Sequence, residues 1–141
     1  VVTERVLRAL FNALFDHNVM LEGTILKASM IIPGKDCPQQ ADVEEVADFT
    51  VQCLKSAVPA VLPGIVFLSG GQSDDDATAH LNEMNKSENL PWPLSFSYGR
   101  AMQSAALKIW GADIVNNIAE AQKTVYARAK DNGLAARGEW Q

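Results

Sequence analysis

A chain of 141 residues can bury one substantial core but is too short for a complete eight-unit α/β barrel, which needs roughly 250. With 48% hydrophobic and 21% charged residues it has the balance of a globular domain, and no segment reaches the roughly 20 consecutive apolar residues of a membrane span. The net charge is −5 and the 12 Lys and Arg residues are scattered, which excludes the basic footprint of a nucleic-acid binder and requires any anionic ligand to be gripped locally.

The first residues, Val1-Val2-Thr3-Glu4-Arg5, lack the basic-then-apolar pattern of a secretory signal, so a cytoplasmic location is expected. Val6, Leu7, Leu10, Phe11, Leu14 and Phe15 recur at spacings of three and four, which predicts an apolar helical stripe behind a Thr3 cap, ending near His17. The apolar run 19–26 then has strand character and leads to Lys27. Asp42 and Glu45 stand in capping-box spacing and open a helix that carries Val46, Ala47, Thr50, Cys53, Leu54 and Ala57 before Pro59 stops it. Cys53 reads there as a small buried hydrophobe, and neither it nor Cys37 has metal-ligand spacing.

A second strand is expected over 64–68, followed by Ser69-Gly70-Gly71 and a helix that Ser73 and Asp76 open with an acidic first turn. A third covers 94–98 and is followed by Gly99-Arg100. Helical stretches over 101–110 and 114–132 come next, with Trp110 on an apolar face and Gly133 placed to end the last helix in a left-handed conformation. Without a repeat or linker, residues 1–141 form one domain or one piece of one.

Strands alternating with helices predict parallel βα units, whose ligands lie beyond the carboxyl ends of the strands. Lys27, Ser69-Gly70-Gly71 and Gly99-Arg100 all fall there. A partly desolvated lysine amine can attack a ketone, although a lone lysine at a strand end reads more readily as an ordinary solvated side chain. A Gly-rich turn before a helix can cradle phosphate on its N–H groups, or simply reverse the chain. Arg100 adds a guanidinium suited to phosphate, or to an exposed structural role.

Together these residues resemble one family. Leu21-Glu22-Gly23-Thr24-Ile25-Leu26-Lys27 is similar to the Schiff-base lysine strand of class I fructose-bisphosphate aldolases. Phe67-Leu68-Ser69-Gly70-Gly71-Gln72-Ser73 and Ser95-Phe96-Ser97-Tyr98-Gly99-Arg100-Ala101 resemble two further stretches of it, in the same order. Asn82-Glu83-Met84-Asn85 and Asn132-Gly133-Leu134-Ala135 extend the likeness over nearly the whole chain, and Ala28-Ser29-Met30 after Lys27 looks like a bacterial branch. The resemblance implies an α/β fold, namely the C-terminal part of a TIM (β/α)8 barrel with about three parallel strands and their helices.

It further implies a catalytic Schiff base at Lys27 and substrate-phosphate binding by Ser69, Gly70, Gly99 and Arg100, with no metal or organic cofactor. The implied activity is reversible cleavage of fructose 1,6-bisphosphate into two triose phosphates by a cytoplasmic homotetramer, with a sugar phosphate as partner and neither nucleic acid nor membrane. The family's earlier strands contribute an aspartate, two lysines and a glutamate base that this chain lacks, so the isolated chain is expected to be inactive and prone to associate through unpaired strand edges. Another Schiff-base sugar-phosphate aldolase, or a non-catalytic barrel scaffold, are the alternative expectations.

Overall fold

Three short apolar segments, Leu26–Ala28 (β1), Ile65–Phe67 (β2) and Leu94–Phe96 (β3), pair side by side in the computed structural model, which describes residues 2–141. The sheet is parallel in the order β1-β2-β3, with Lys27 opposite Val66 and Val66 opposite Ser95. Parallel neighbours need long crossovers. Helix Val43–Ala57 (α2) supplies the first and Asp74–Asn85 (α3) the second, while Val2–Asp16 (α1) precedes the sheet and Arg100–Ala112 (α4) and Ile118–Ala135 (α5) follow it.

The residues beside Lys27 and Val66 alternate in burial. Leu26, Ala28, Ile65, Phe67 and Leu94 enter one core with Leu7 and Phe11 of α1, Val46 and Leu54 of α2, Leu81 and Met84 of α3, and Ala101 and Ala135. Lys27 is exposed and Val66 half-buried on the alternate positions. Period-two alternation therefore separates a helix-packed face from a face left for other work. The two capping signals behave as expected: Asp42 accepts from Glu45 N at 2.8 Å while Glu45 reaches back to Asp42 N, and Ser73 Oγ accepts from Asp76 N at 3.0 Å.

Several sequence expectations need correction. Of the run 19–26 only Leu26 is in a strand: Asn18 takes a left-handed φ of 53°, and Leu21–Gly23 forms a 3-10 turn because Glu22-Gly23-Thr24 favours reversal, with Thr24 Oγ1 donating to Met20 O. Lys27 consequently lies within β1, not beyond it. Thr3 lies inside α1 instead of capping it, and only Leu7 and Phe11 of the stripe are buried, with Val6 and Phe15 exposed. Gly133 continues α5; the left-handed glycine is Gly138, at φ +70°, where a Cβ would come within 3.1 Å of Asn85 O. Finally, α5 begins at Ile118 because Asp113 caps a turn through Val115 N and Asn116 N.

Candidate active site

The polar motifs gather at the carboxyl end of the sheet because each follows directly from a strand. Leu68 N donates to Ala28 O at 2.9 Å and Ser97 N to Phe67 O at 2.8 Å, so the parallel ladder continues one residue past the strands before the loops diverge. Ser69 is buried and its Oγ accepts from Ala101 N at 3.4 Å, which ties the β2–α3 loop to the first turn of α4. A Cβ built on Gly70 would stand 3.8 Å from Arg100 Nη2, so the guanidinium of Arg100 lies beside the Gly70 backbone. At Gly99, φ is −90° and a Cβ would meet open space, so neither strain nor packing requires glycine, and its absent side chain leaves the start of α4 uncovered.

Ser69, Gly70, Gly99 and Arg100 thus form one cluster between two helix N-termini, where N–H groups and a guanidinium together suit a phosphate. Lys27 borders this cluster without touching it. It lines an open cavity of about 330 Å³ with Leu7, Leu10, Ser29 and Leu68, and a neighbouring cavity of about 390 Å³ contains Gly70. The two cavities share Val2, Thr3 and Ser29 as a common wall. The burial that sequence reasoning expected around the amine is not supplied, since Lys27 is exposed on this face.

Two further side chains bear on the cluster and were not singled out from sequence. Tyr98 is buried just before Gly99, its hydroxyl donates to Ala77 O at 2.8 Å, and burial pushes its phenol well above the ordinary range. His80, also buried, meets Gln72 Oε1 through Nδ1 at 2.5 Å, and desolvation lowers its pKa below the usual imidazole value, opposed by nearby Asp76. Among the described residues no group of His, Cys, Asp and Glu side chains is arranged to hold a metal ion. No described helix is long and apolar enough to cross a membrane.

Over residues 1–141 the sequence matches the family model for glycolytic fructose-bisphosphate aldolase class-I. The chain belongs to the class I fructose-bisphosphate aldolase family. It is 69% identical over 140 residues to a probable fructose-bisphosphate aldolase class 1 of Xylella fastidiosa, covering 99% of this chain and 42% of that protein. Identity falls to 53% with fructose-bisphosphate aldolase 1 of Toxoplasma gondii, of which 38% is covered, so the bacterial character seen after Lys27 extends along the aldolase sequence. Its fold superposes with a TM-score of 0.94 on fructose-bisphosphate aldolase from Plasmodium falciparum, solved in a ternary complex with TRAP and a small-molecule inhibitor, at 41% identity over 99% of this chain and 40% of that one. The chain therefore spans about two-fifths of the length of the relatives it matches, and its three parallel strands form part of a barrel.

Proposed function

We propose that this chain supplies the Schiff-base lysine and a phosphate clamp of a fructose-bisphosphate aldolase. The observation that carries the reading is the placement of Lys27 on the open face of β1, bordering a cluster in which Arg100 lies beside Gly70 at the start of two helices. In this mechanism the neutral amine of Lys27 adds to the C2 ketone of fructose 1,6-bisphosphate and water leaves, giving an iminium ion. A base of the complete barrel then takes the C4 hydroxyl proton. The C3–C4 bond breaks, its electron pair flows toward the iminium nitrogen as an enamine, and glyceraldehyde 3-phosphate departs.

Protonation at C3 and hydrolysis release dihydroxyacetone phosphate and restore the amine. The iminium is itself the electron sink, so the reaction needs no Lewis acid. Ser69, Gly70, Gly99 and Arg100 hold the phosphate nearest the ketone, which converts its binding energy into orientation at Lys27. The working protein is a cytoplasmic homo-oligomer in this reading, a homotetramer by family resemblance, and 1–141 is the C-terminal portion of one TIM-barrel domain. Exposed Leu107, Tyr126 and Ile118 on α4 and α5 support further burial by association or by additional chain.

Borohydride trapping tests the assignment in the full-length protein. With dihydroxyacetone phosphate, mass spectrometry is expected to find the reduced adduct on Lys27, and Lys27→Arg abolishes it because arginine keeps the charge without offering a neutral amine. Arg100→Ala retains the adduct but raises the half-saturating ligand concentration about 10- to 150-fold, the equivalent of a lost charge-assisted hydrogen bond of about 1.5–3 kcal/mol. An adduct on Lys35 or Lys55 in an active enzyme refutes the role of Lys27.

A further inference from the structure

Arg128 lies on α5, outside every motif considered above, yet its side chain is only 11% exposed. Its Nε donates to Ala101 O at 2.9 Å, and its Nη2 donates to Asp74 O at 2.5 Å and to Thr78 Oγ1 at 2.7 Å. Nη1 pairs with Asp75 Oδ1 at 3.1 Å, a carboxylate that is 86% exposed. Ala101 follows Arg100 at the start of α4, and its N–H is already donated to Ser69 Oγ at 3.4 Å. Asp74 opens α3, directly after the Ser69-Gly70-Gly71-Gln72-Ser73 loop. One planar guanidinium thereby bridges the backbones of the two helices that carry the phosphate cluster.

We infer that Arg128 is a positioning residue of the phosphate site, setting the separation and orientation of the α3 and α4 N-termini so that Gly70 and Arg100 face one anion. The inference rests on the phosphate-binding reading of that cluster. The rigid fork suits the task because its donors diverge at fixed angles, toward Ala101 O on one side and Asp74 O on the other; a lysine has one compact donor group and cannot span both. Surrounding contacts reinforce the frame: Thr78 Oγ1 also donates to Asn132 Oδ1 at 2.9 Å, and the Tyr98 hydroxyl donates to Ala77 O at 2.8 Å. Arg128 touches no reacting atom in this arrangement. Its effect is transmitted through the peptide groups of Ala101 and Asp74.

The test compares two ketones in the full-length protein, dihydroxyacetone phosphate and dihydroxyacetone, which share the carbonyl and differ in the phosphate. Borohydride trapping on Lys27 is followed as a function of ketone concentration. Arg128→Lys keeps the charge and is expected to raise the half-saturating concentration of dihydroxyacetone phosphate about tenfold, as a misaligned charge-assisted hydrogen bond would, with the maximal trapping rate and the dihydroxyacetone curve unchanged. A purely structural role shifts both ketones alike or lowers only the melting temperature, and either result overturns the inference. Asp75→Ala, at an exposed side chain, covers the case in which Arg128→Lys does not fold; it is expected to give the same selective shift at about threefold, the scale of a surface ion pair. A threefold shift shared by both ketones, or none, also overturns the inference. Failure of the wild-type protein to trap dihydroxyacetone phosphate on Lys27 would instead remove the functional reading on which the inference stands.

Discussion

Two adjacent glycines at the proposed phosphate loop, Gly70 and Gly71, should separate stability from binding when each is replaced by alanine. Gly71 has φ +85°, in the left-handed region, and a Cβ there would approach Ile32 Cδ1 at 3.3 Å. An L-residue in that region costs about 1–2 kcal/mol, from which the smaller entropy of the unfolded alanine chain returns about 0.4–1 kcal/mol. Ile32 Cδ1 is the end of a flexible side chain and can move, so the net loss for Gly71→Ala is about 1 kcal/mol. Gly70 has no left-handed φ, and its Cβ would meet Leu68 Cδ1 at 2.8 Å and Arg100 Nη2 at 3.8 Å. The Leu68 terminus can swing away, so Gly70→Ala should leave stability nearly unchanged while placing a methyl group beside the Arg100 guanidinium, the proposed anion ligand. Thermal unfolding checks the first half, with Gly71→Ala melting a few degrees below Gly70→Ala. Titration with inorganic phosphate checks the second, with Gly70→Ala the weaker binder. Equal melting temperatures would refute the left-handed conformation of Gly71, and unchanged phosphate affinity in Gly70→Ala would refute the proximity of Gly70 to the bound anion.

His80 gives a pH-dependent prediction. Burial lowers its folded-state pKa below the unfolded value of about 6.5, so the unfolded chain binds the proton more readily; its contribution is complete above that pH and is lost as pH falls below it. Chemical denaturation between pH 7.5 and 5 should therefore show a decline that His80→Asn reduces, and identical slopes in the two proteins would contradict it. Asp42→Ala removes the acceptor for Glu45 N and should cost about 1 kcal/mol, read as a lower urea midpoint at unchanged slope.

What was legible in the sequence was local. Asp42, Glu45 and Ser73 announce helix starts because a cap needs only a side chain and an amide three residues away. The parallel order of the strands followed from the lengths of the crossovers between them. The start of the first strand is not legible because hydrophobicity alone does not distinguish an apolar turn from an apolar strand, and Glu22-Gly23-Thr24 interrupts the run without breaking its apolar character. The left-handed ending belongs to Gly138 and not to Gly133, since what selects the left-handed residue is the approach of Asn85 O from α3 and not any feature of the helix itself. Arg128 was beyond reach for the same reason: its partner Asp74 is 54 positions away, and on its own helix the only sign was a charged residue four places before Asn132 among small side chains. Contacts of that separation depend on how α3, α4 and α5 pack, which no local pattern encodes.

The alternation of the three strands also explains how Lys27, the proposed Schiff-base lysine, can be held without endangering the fold. Ile65 and Phe67 are fully buried, and with Leu26 and Ala28 they anchor the sheet to its helices, where removing a large side chain such as Phe67 costs about 3–5 kcal/mol. Lys27, Val66 and Ser95 occupy the intervening positions of the same strands and contribute little to that core. The strand thus fixes the backbone of Lys27 through Leu26 and Ala28 while leaving its amine on the other face, so rigidity of position and freedom of the side chain come from the same three residues. The proposed phosphate-binding cluster is organised on the complementary plan. Its groups lie on loops and first helical turns, where N–H groups are free of the helix ladder, and its rigidity is imported from buried cross-links among α3, α4 and α5. Substitutions at Lys27 should consequently abolish chemistry at little cost in stability, whereas those at the cross-links change phosphate affinity and stability together in proportions set by how many helix starts each one joins.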